Sequence, residues 1–329
     1  MRRLLIAGAV LVLLALASVG GVFMAIGAYN APGPLPALQA IVVPRGAPSE
    51  LAKALQRDGV ISSTWAFRLA AFVTAREGPL RSGEFLFPRH GSLFATMIIL
   101  RRGREIQHRL TIPEGLTAAQ IAEIVDRAPA MSGDTPLPAE GGVLPETYDY
   151  VFGTSRAALL DRARQAMDKT VALVWAGRDP DLPLSRPEEL VTLASIVERE
   201  TARPEERAHI AAVFLNRLRH GMKLQSDPTT AYAVSGGRTT YDRGLTRADL
   251  ELANPYNTYF APGLPPGPID SPGLAALQAV ARPIDSDDLY FVADGSGGHA
   301  FAKTLDEHNR NVAKWRALNA KPAPASAQP

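Results

Sequence analysis

LASIVERET, residues Leu193–Thr201, closes a run that reads as the buried face of a helix and sets two glutamates either side of an arginine. Ser185 followed by Glu188 has the pattern of a capping box, with Pro187 tolerated in the first turn, so a helix is predicted to begin there. Advancing about 100° per residue puts Leu190, Leu193, Ala194 and Val197 on one side, with Val191 and Ile196 at its edges. Thr192, Ser195 and Arg199 fall opposite. Glu198 then lies between Val191 and Ala194, and Glu200 between Ile196 and Leu193. Two steps along a helix turn the side chain by about 200°, so these carboxylates diverge and do not serve one cleft together. Such a helix supplies one acid to a reaction at most. The structural alternative makes both glutamates flanking groups that reach solvent or pair with Arg199, Arg203 or Arg207.

Downstream, Pro204 with Glu205 and Glu206 suits a second helix start. Its apolar stripe is Ile210, Ala211, Phe214, Leu215 and Leu218, and it ends in Arg217, Arg219 and His220 before Gly221. In MKLQSDPTTAY, Asp227 before Pro228 reads as an N-cap with a first-turn proline, against the alternative of a base. Gln225 has no evident structural duty. The stretch NPYNTYFAPGLPPGPIDSPG, residues 254–273, is a loop stiffened by proline, able to hold polar and aromatic side chains in place for a sugar or simply to wrap the core. DLYFVADGSGGHAFAKT, residues 288–304, reads as a hairpin, and Thr304 with Glu307 as the capping box of a last helix. His299 and His308 have no compact ligand spacing around them, so no metal is expected. The glycine turn is not followed by a helix, which removes a phosphate loop.

Towards the other end, Leu4–Ala28 carries no charged side chain and follows Arg2 and Arg3. This length spans a bilayer core of about 30 Å as a helix. Ala15-Leu16-Ala17 resembles a signal-peptide cleavage site, but the apolar run continues through Val22, Phe23, Met24 and Ile26, which favours a retained anchor. Either way the rest of the chain is exported, because no Lys or Arg follows Arg3 until Arg45. APGPLPAL reads as an extended spacer. IVVPRG reads as a strand, Ser49 as the cap of ELAKALQRDG, Thr64–Ala75 as a helix, and LFATMIILRRG as either helix or strand. A small α+β module is thus expected over residues 38–107. HRLTIPEGLTAAQIAEIVDRA opens a new unit with a strand, a turn and a helix capped by Thr117, and a further helix is predicted over Ser155–Ala176. The net charge of +2, with both signs interspersed, lacks the basic stripe of a nucleic-acid binder, and the absence of cysteine excludes disulfides and thiol chemistry.

LASIVERET, AAVFLNRLRHGMKLQSDPTTAY, YNTYFAPGLPPGPI and LYFVADGSGGHAF follow one another in an order and at spacings that resemble the YceG-like endolytic murein transglycosylases, the MltG group. EGGVLPETYDY resembles that family's aromatic Pro-[Asp/Glu]-Thr segment. The resemblance covers about residues 108–319. It implies an α+β protein made of a cytoplasmic tip and transmembrane helix (1–29), a linker (30–37), a LysM-like module (38–107), a mixed helical/β catalytic domain (108–319) and a disordered tail (320–329). It implies a single-pass protein of the bacterial inner membrane, with the catalytic domain on the periplasmic or extracellular side. The activity implied is cleavage of the MurNAc-GlcNAc bond within nascent peptidoglycan strands to give 1,6-anhydroMurNAc ends, without a cofactor. The partners implied are glycan strands, the membrane through residues 4–28, and peptidoglycan synthases. The family's catalytic glutamate falls on Glu198, with Glu200 as positional runner-up. Ser195 is expected to donate a hydrogen bond to Glu198, and Ser195, Gln225, Asp227, Tyr256, Asn257 and Tyr259 to contact substrate. Two other readings stand beside this one: a muramidase using Glu198 and Asp227 with water, and a tethered wall-binding scaffold without activity.

Overall fold

The computed structural model describes residues 2–238 and 243–319; the tail expected at 320–329 lies outside the described residues. The chain divides into two compact units, residues 1–108 with 149–154, and residues 109–148 with 155–329. Mixed α and β structure fills both.

In the first unit α1 (Arg2–Asn30) includes an apolar stretch, Leu11–Asn30, of mean hydropathy 2.3. At 1.5 Å per residue this stretch matches a bilayer core of about 30 Å. The residues after it differ from a free spacer. Gly33 N–H donates to His90 O at 3.1 Å, His90 N–H donates to Leu35 O at 2.9 Å, and Leu35 is buried. Strand β1 (Gln39–Val43) follows, then α2 (Pro48–Arg57), α3 (Thr64–Val73), β2 (Gly83–Phe87) and α4 (Leu93–Arg102). β1 and β2 pair antiparallel with Ile41 opposite Phe85. Their alternation sends Ile41, Val43, Phe85 and Phe87 inward, onto Leu51 and Leu55 of α2, Phe67 of α3, and Met97 and Leu100 of α4. α2 begins one residue before the expected cap. Pro48 takes the first position, and Ala47 N–H donates to the Glu50 carboxylate, so Ser49 caps nothing. LFATMIILRRG resolves as helix because Ser92 Oγ accepts the Ala95 N–H and starts it.

β3 (Gln107–Thr111) pairs with β4 (Thr147–Val151). In the second unit α5 (Ala118–Asp126) carries the expected Thr117 cap, reciprocated by Gln120. α6 (Arg156–Ala176), α7 (Pro187–Glu200), α8 (Arg207–Arg219), α9 (Asp227–Ser235), α10 (Arg247–Leu250) and α11 (Leu274–Ala281) follow. A ribbon of β5 (Tyr290–Ala293) with β6 (His299–Ala302) and the closing helix α12 (Leu305–Asn319) complete it. The core is built on α7: Leu190, Leu193, Ala194, Ile196 and Val197 meet Met167 of α6, Phe214 and Leu215 of α8, and Leu277 and Val280 of α11.

Three local expectations are corrected here. Thr192 and Ser195, expected on the outer side of α7, are buried, because α11 and the segment before it cover that face. α7 has Arg186 at its N-cap position without a side-chain cap; Ser185 N–H donates instead to Glu189, one residue beyond the expected Glu188. α9 has Ser226 at its N-cap position, and Asp227 is its first residue rather than its cap.

Candidate active site

The last turn of α7 meets two irregular segments, the Pro-Glu-Gly turn before α5 and residues 269–273 before α11. Backbone ties fix them together. Ile269 N–H donates to Ser195 Oγ at 3.0 Å, Gly115 N–H to Ser271 O at 3.0 Å, and Ser271 N–H to Leu116 O at 2.9 Å. One helical turn beyond Ser195, Glu198 receives Gly273 N–H on Oε2 at 3.0 Å and Arg207 Nη2 on Oε1 at 3.0 Å. Arg207 also stands 3.7 Å from the Glu114 carboxylate. The Gly273 backbone and the Glu114 side chain lie close: a Cβ at 273 would lie 1.8 Å from Glu114 Oε1, so any larger residue there would make the Glu114 carboxylate move.

The Glu198 side chain is 5% exposed, at the edge of a recess of about 240 Å³ that Glu114, Gly115, Arg199, Glu200 and Arg207 also line. Burial pushes its carboxyl above the usual range, with the charge of Glu114 adding to the rise; the Gly273 N–H, Arg207 and Arg199 pull the other way. Burial wins, leaving an acid that holds its proton longer than a free glutamate and has two donors ready for its ionised form.

Glu200 turns away, as the helical rotation requires, and accepts from Ser226 Oγ at 2.5 Å. Burial, with the charge of Asp227 adding, pushes it up to about 7 against the Ser226 hydrogen bond and Arg217. The folded state therefore holds a proton that the unfolded chain releases, so the stability it gives below about pH 4.5 is lost as pH rises through 7. We expect Glu200→Gln to remove a fall of about 2 kcal/mol across that window, a figure discounted for partial exposure. Denaturant titrations at pH 4.5 and 8 measure it, and an unchanged slope would refute it.

The expected contact residues do not form one surface. Ser195 is fully buried, and its hydroxyl donates to Thr192 O and accepts from Ile269 N–H, so the expected bond to Glu198 is not made. Asn257 is enclosed in the same way. It is fully buried, donating to the carbonyls of Asp249, Leu250 and Leu252 and accepting from Thr230 Oγ1 and Tyr259 N–H. Asp227 is exposed and accepts from the Tyr259 hydroxyl at 2.6 Å. Its charge bears on Glu200, beside which it lies. Gln225 is exposed with φ of 51°, a left-handed conformation that non-glycine residues adopt at a cost. Tyr256 packs on Tyr232 at 4.9 Å between ring centres.

A second cleft, of about 350 Å³, reaches Asp227 but not Gln225, Tyr256 or Tyr259. Asp227 and Tyr232 line it, and it shares Gly115 and Arg199 with the Glu198 recess. Two acids in its neighbourhood were not singled out from the sequence. Glu140 accepts from Ala118 N–H at 2.7 Å and from the Tyr232 hydroxyl at 3.1 Å, and burial pushes it up. Asp270 lines the cleft but is 1% exposed, and neither carboxylate oxygen has a hydrogen-bond partner among the described residues. Burial raises it well above the ordinary aspartate range; Arg199 opposes, and Glu198 and Glu140 add to the rise. Glu114 and Gly273 were also missed, although PEG and DSPG are visible as turns. Nothing local in either turn shows that both close on α7. No group of three or more His, Asp or Glu among the described residues is placed to hold a metal.

This arrangement has counterparts. An endolytic murein transglycosylase of Streptococcus pneumoniae is 36% identical over 201 residues, 60% of this chain and 36% of that protein. One of Bacillus subtilis is 37% identical over 180 residues, 54% of this chain and 48% of that protein. The chain thus spans about a third to a half of the length of these relatives. The crystal structure of a yceG-like protein from Listeria monocytogenes superposes with a TM-score of 0.53 at 28% identity, covering 83% of this chain and 98% of that one. The model of the YceG-like family matches residues 41–314, from within β1 to within α12, and by that match the protein belongs to the YceG-like family.

Proposed function

We propose that the protein is a membrane-anchored endolytic lytic transglycosylase that cleaves the MurNAc-GlcNAc bond inside peptidoglycan strands, with Glu198 as its single acid and base. The observation that carries this reading is the Glu198 carboxyl itself: nearly buried, raised by that burial, open to a recess, and held by two donors suited to its ionised form. The protonated carboxyl gives its proton to the glycosidic oxygen as the C1–O bond breaks, and the GlcNAc hydroxyl leaves. The carboxylate that remains is stabilised by Gly273 N–H, at the N-terminal end of α11, and by Arg207. It then takes the proton of the same MurNAc C6 hydroxyl while O6 closes on C1. No water and no second carboxylate takes part, unlike glycosidases that set two carboxylates roughly 5–9.5 Å apart.

A hydrolytic alternative through Asp227 has little support, because Asp227 is bonded to Tyr259 and lies with Glu200. Glu114, linked to Glu198 through Arg207, is the carboxylate such a route would need. Purified full-length protein acting on glycan strands is expected to give internal fragments ending in 1,6-anhydroMurNAc by mass. Reducing ends would mean hydrolysis, and intact strands the scaffold reading.

The inner-membrane location, with the second unit outside the cytoplasm, belongs to the same proposal and is supported by the apolar length of α1. So does the LysM-like reading of residues 38–107, supported by the order β1, α2, α3, β2 with antiparallel strands.

A further inference from the structure

We infer that the first unit has a second contact with the membrane: an exposed apolar face on α3 and α4 that rests in the surface of the bilayer α1 crosses. The inference rests on reading α1 as a span. α3 buries Phe67, Ala70 and Ala71 and leaves Trp65, Leu69, Phe72 and Val73 exposed, Phe72 to 81%. Positions 65, 69, 72 and 73 share one helical face, and it is the wrong face for a water-soluble module. α4 adds exposed Phe94 and Ile98. Arg68 within α3 and Arg76 in the turn after it are both exposed. Tryptophan and phenylalanine with interspersed arginine are the side chains that settle at the headgroup boundary, rings inward and guanidinium outward.

The anchor says what covers this face. Tyr29, at the end of the apolar stretch, meets the Phe94 ring edge-on at 5.6 Å between centres and packs against the core of the unit. Buried Leu35 follows Asn30 after four residues, and Gly33 and Leu35 are both bonded to His90. Even fully extended, the five steps from Asn30 to Leu35 reach only about 17 Å. The headgroup layer is itself roughly 5–7 Å thick. That reach alone would clear the layer, but Tyr29, still within the apolar stretch, already touches Phe94 before the tether begins, so the unit is held at the lipid there and the surface beside Phe94 is the part closest to it. Aromatic side chains in that position leave water at a gain, whereas an outward-facing module with slack in its tether would have no use for them.

Because the chain has no cysteine, single labels report without background. Nitroxides are placed on Phe72→Cys, on Val19→Cys within the span, and on Arg57→Cys, whose native side chain is 74% exposed. The full chain is reconstituted in phosphatidylethanolamine–phosphatidylglycerol vesicles, and collisions with oxygen and with a water-soluble nickel chelate are compared. All three sites are exposed, so the fold tolerates them. The Phe72 label is expected to follow Val19, with a several-fold higher ratio of oxygen to nickel collisions than Arg57. A Phe72 label that matches Arg57 while Val19 reads lipid overturns the proposal and leaves the anchor intact. A label shielded from both reagents indicates a protein contact and also overturns it. A Val19 label open to nickel removes the anchor, and the proposal with it.

Discussion

Glu198→Gln is expected to lower the rate of glycan cleavage by about a thousandfold, in the range lost when a positioned general acid or base is removed. The amide keeps the shape of the side chain, and its oxygen still accepts Gly273 N–H, so the 269–273 segment keeps its tie to α7. What disappears is the proton for the leaving oxygen and the carboxylate that takes one back. Arg207 loses its 3.0 Å partner but retains Glu114 at 3.7 Å, so the variant should fold. Cleavage is followed by anhydro-muropeptide release, and folding by thermal denaturation. Glu200→Gln serves as the contrast, since its carboxylate is engaged by Ser226 Oγ and diverges from that of Glu198, although the residue also lines the recess. A Glu198→Gln protein that still cleaves strands would remove the basis of the mechanism.

Asp270→Ala is expected to stabilise the protein by about 2 kcal/mol or more at pH 8, and by much less at pH 4. The wild-type carboxyl is buried and neither oxygen is hydrogen-bonded among the described residues. Folding at neutral pH therefore requires it to bind a proton or to bury a charge, and each costs free energy. The sign follows from its raised value: the native state binds a proton the unfolded chain gives up, so stability declines as pH rises above about 4, by roughly 1.4 kcal/mol per pH unit until the folded group ionises. Alanine removes both the slope and the polar burial. Asp270→Asn should remove the slope and leave the unpaired polar group. Denaturation of the full chain in detergent at pH 4 and 8 tests both, and a wild-type slope retained by either variant would contradict the account. The native protein thus carries, beside Glu198, an acid that weakens it.

The elements were largely legible because their signals are local. The Thr117 and Thr304 caps, the hairpin at 290–302 and the α7 helix each follow from spacing within about ten residues. Glu198 and its divergence from Glu200 were legible from helical rotation and resemblance together. What was not legible depends on distant partners. Asn257 takes three carbonyls from the turn just before it, but nothing near it tells that Thr230, 27 residues away, will close over it, and nothing near Ser195 tells that its hydroxyl will hold Ile269 rather than Glu198. The same holds for Glu114 and Gly273, whose place at the site depends on two turns separated by more than 150 residues meeting at one helix end. LFATMIILRRG was ambiguous for another reason: apolar residues lie on several sides of it, because Phe94 and Ile98 remain outside the core.

The chain passes between its two units three times, after residues 108, 148 and 154. A protease nick within the 127–142 loop would therefore leave residues 149–154 covalently tethered to the second unit while folded into the first. Separating the second unit from α1 would take more than one cut, or the extraction of a strand. A fragment started at residue 109 would carry an orphaned piece of its neighbour, and experiments on the excised half should begin by asking what that piece does without its partners.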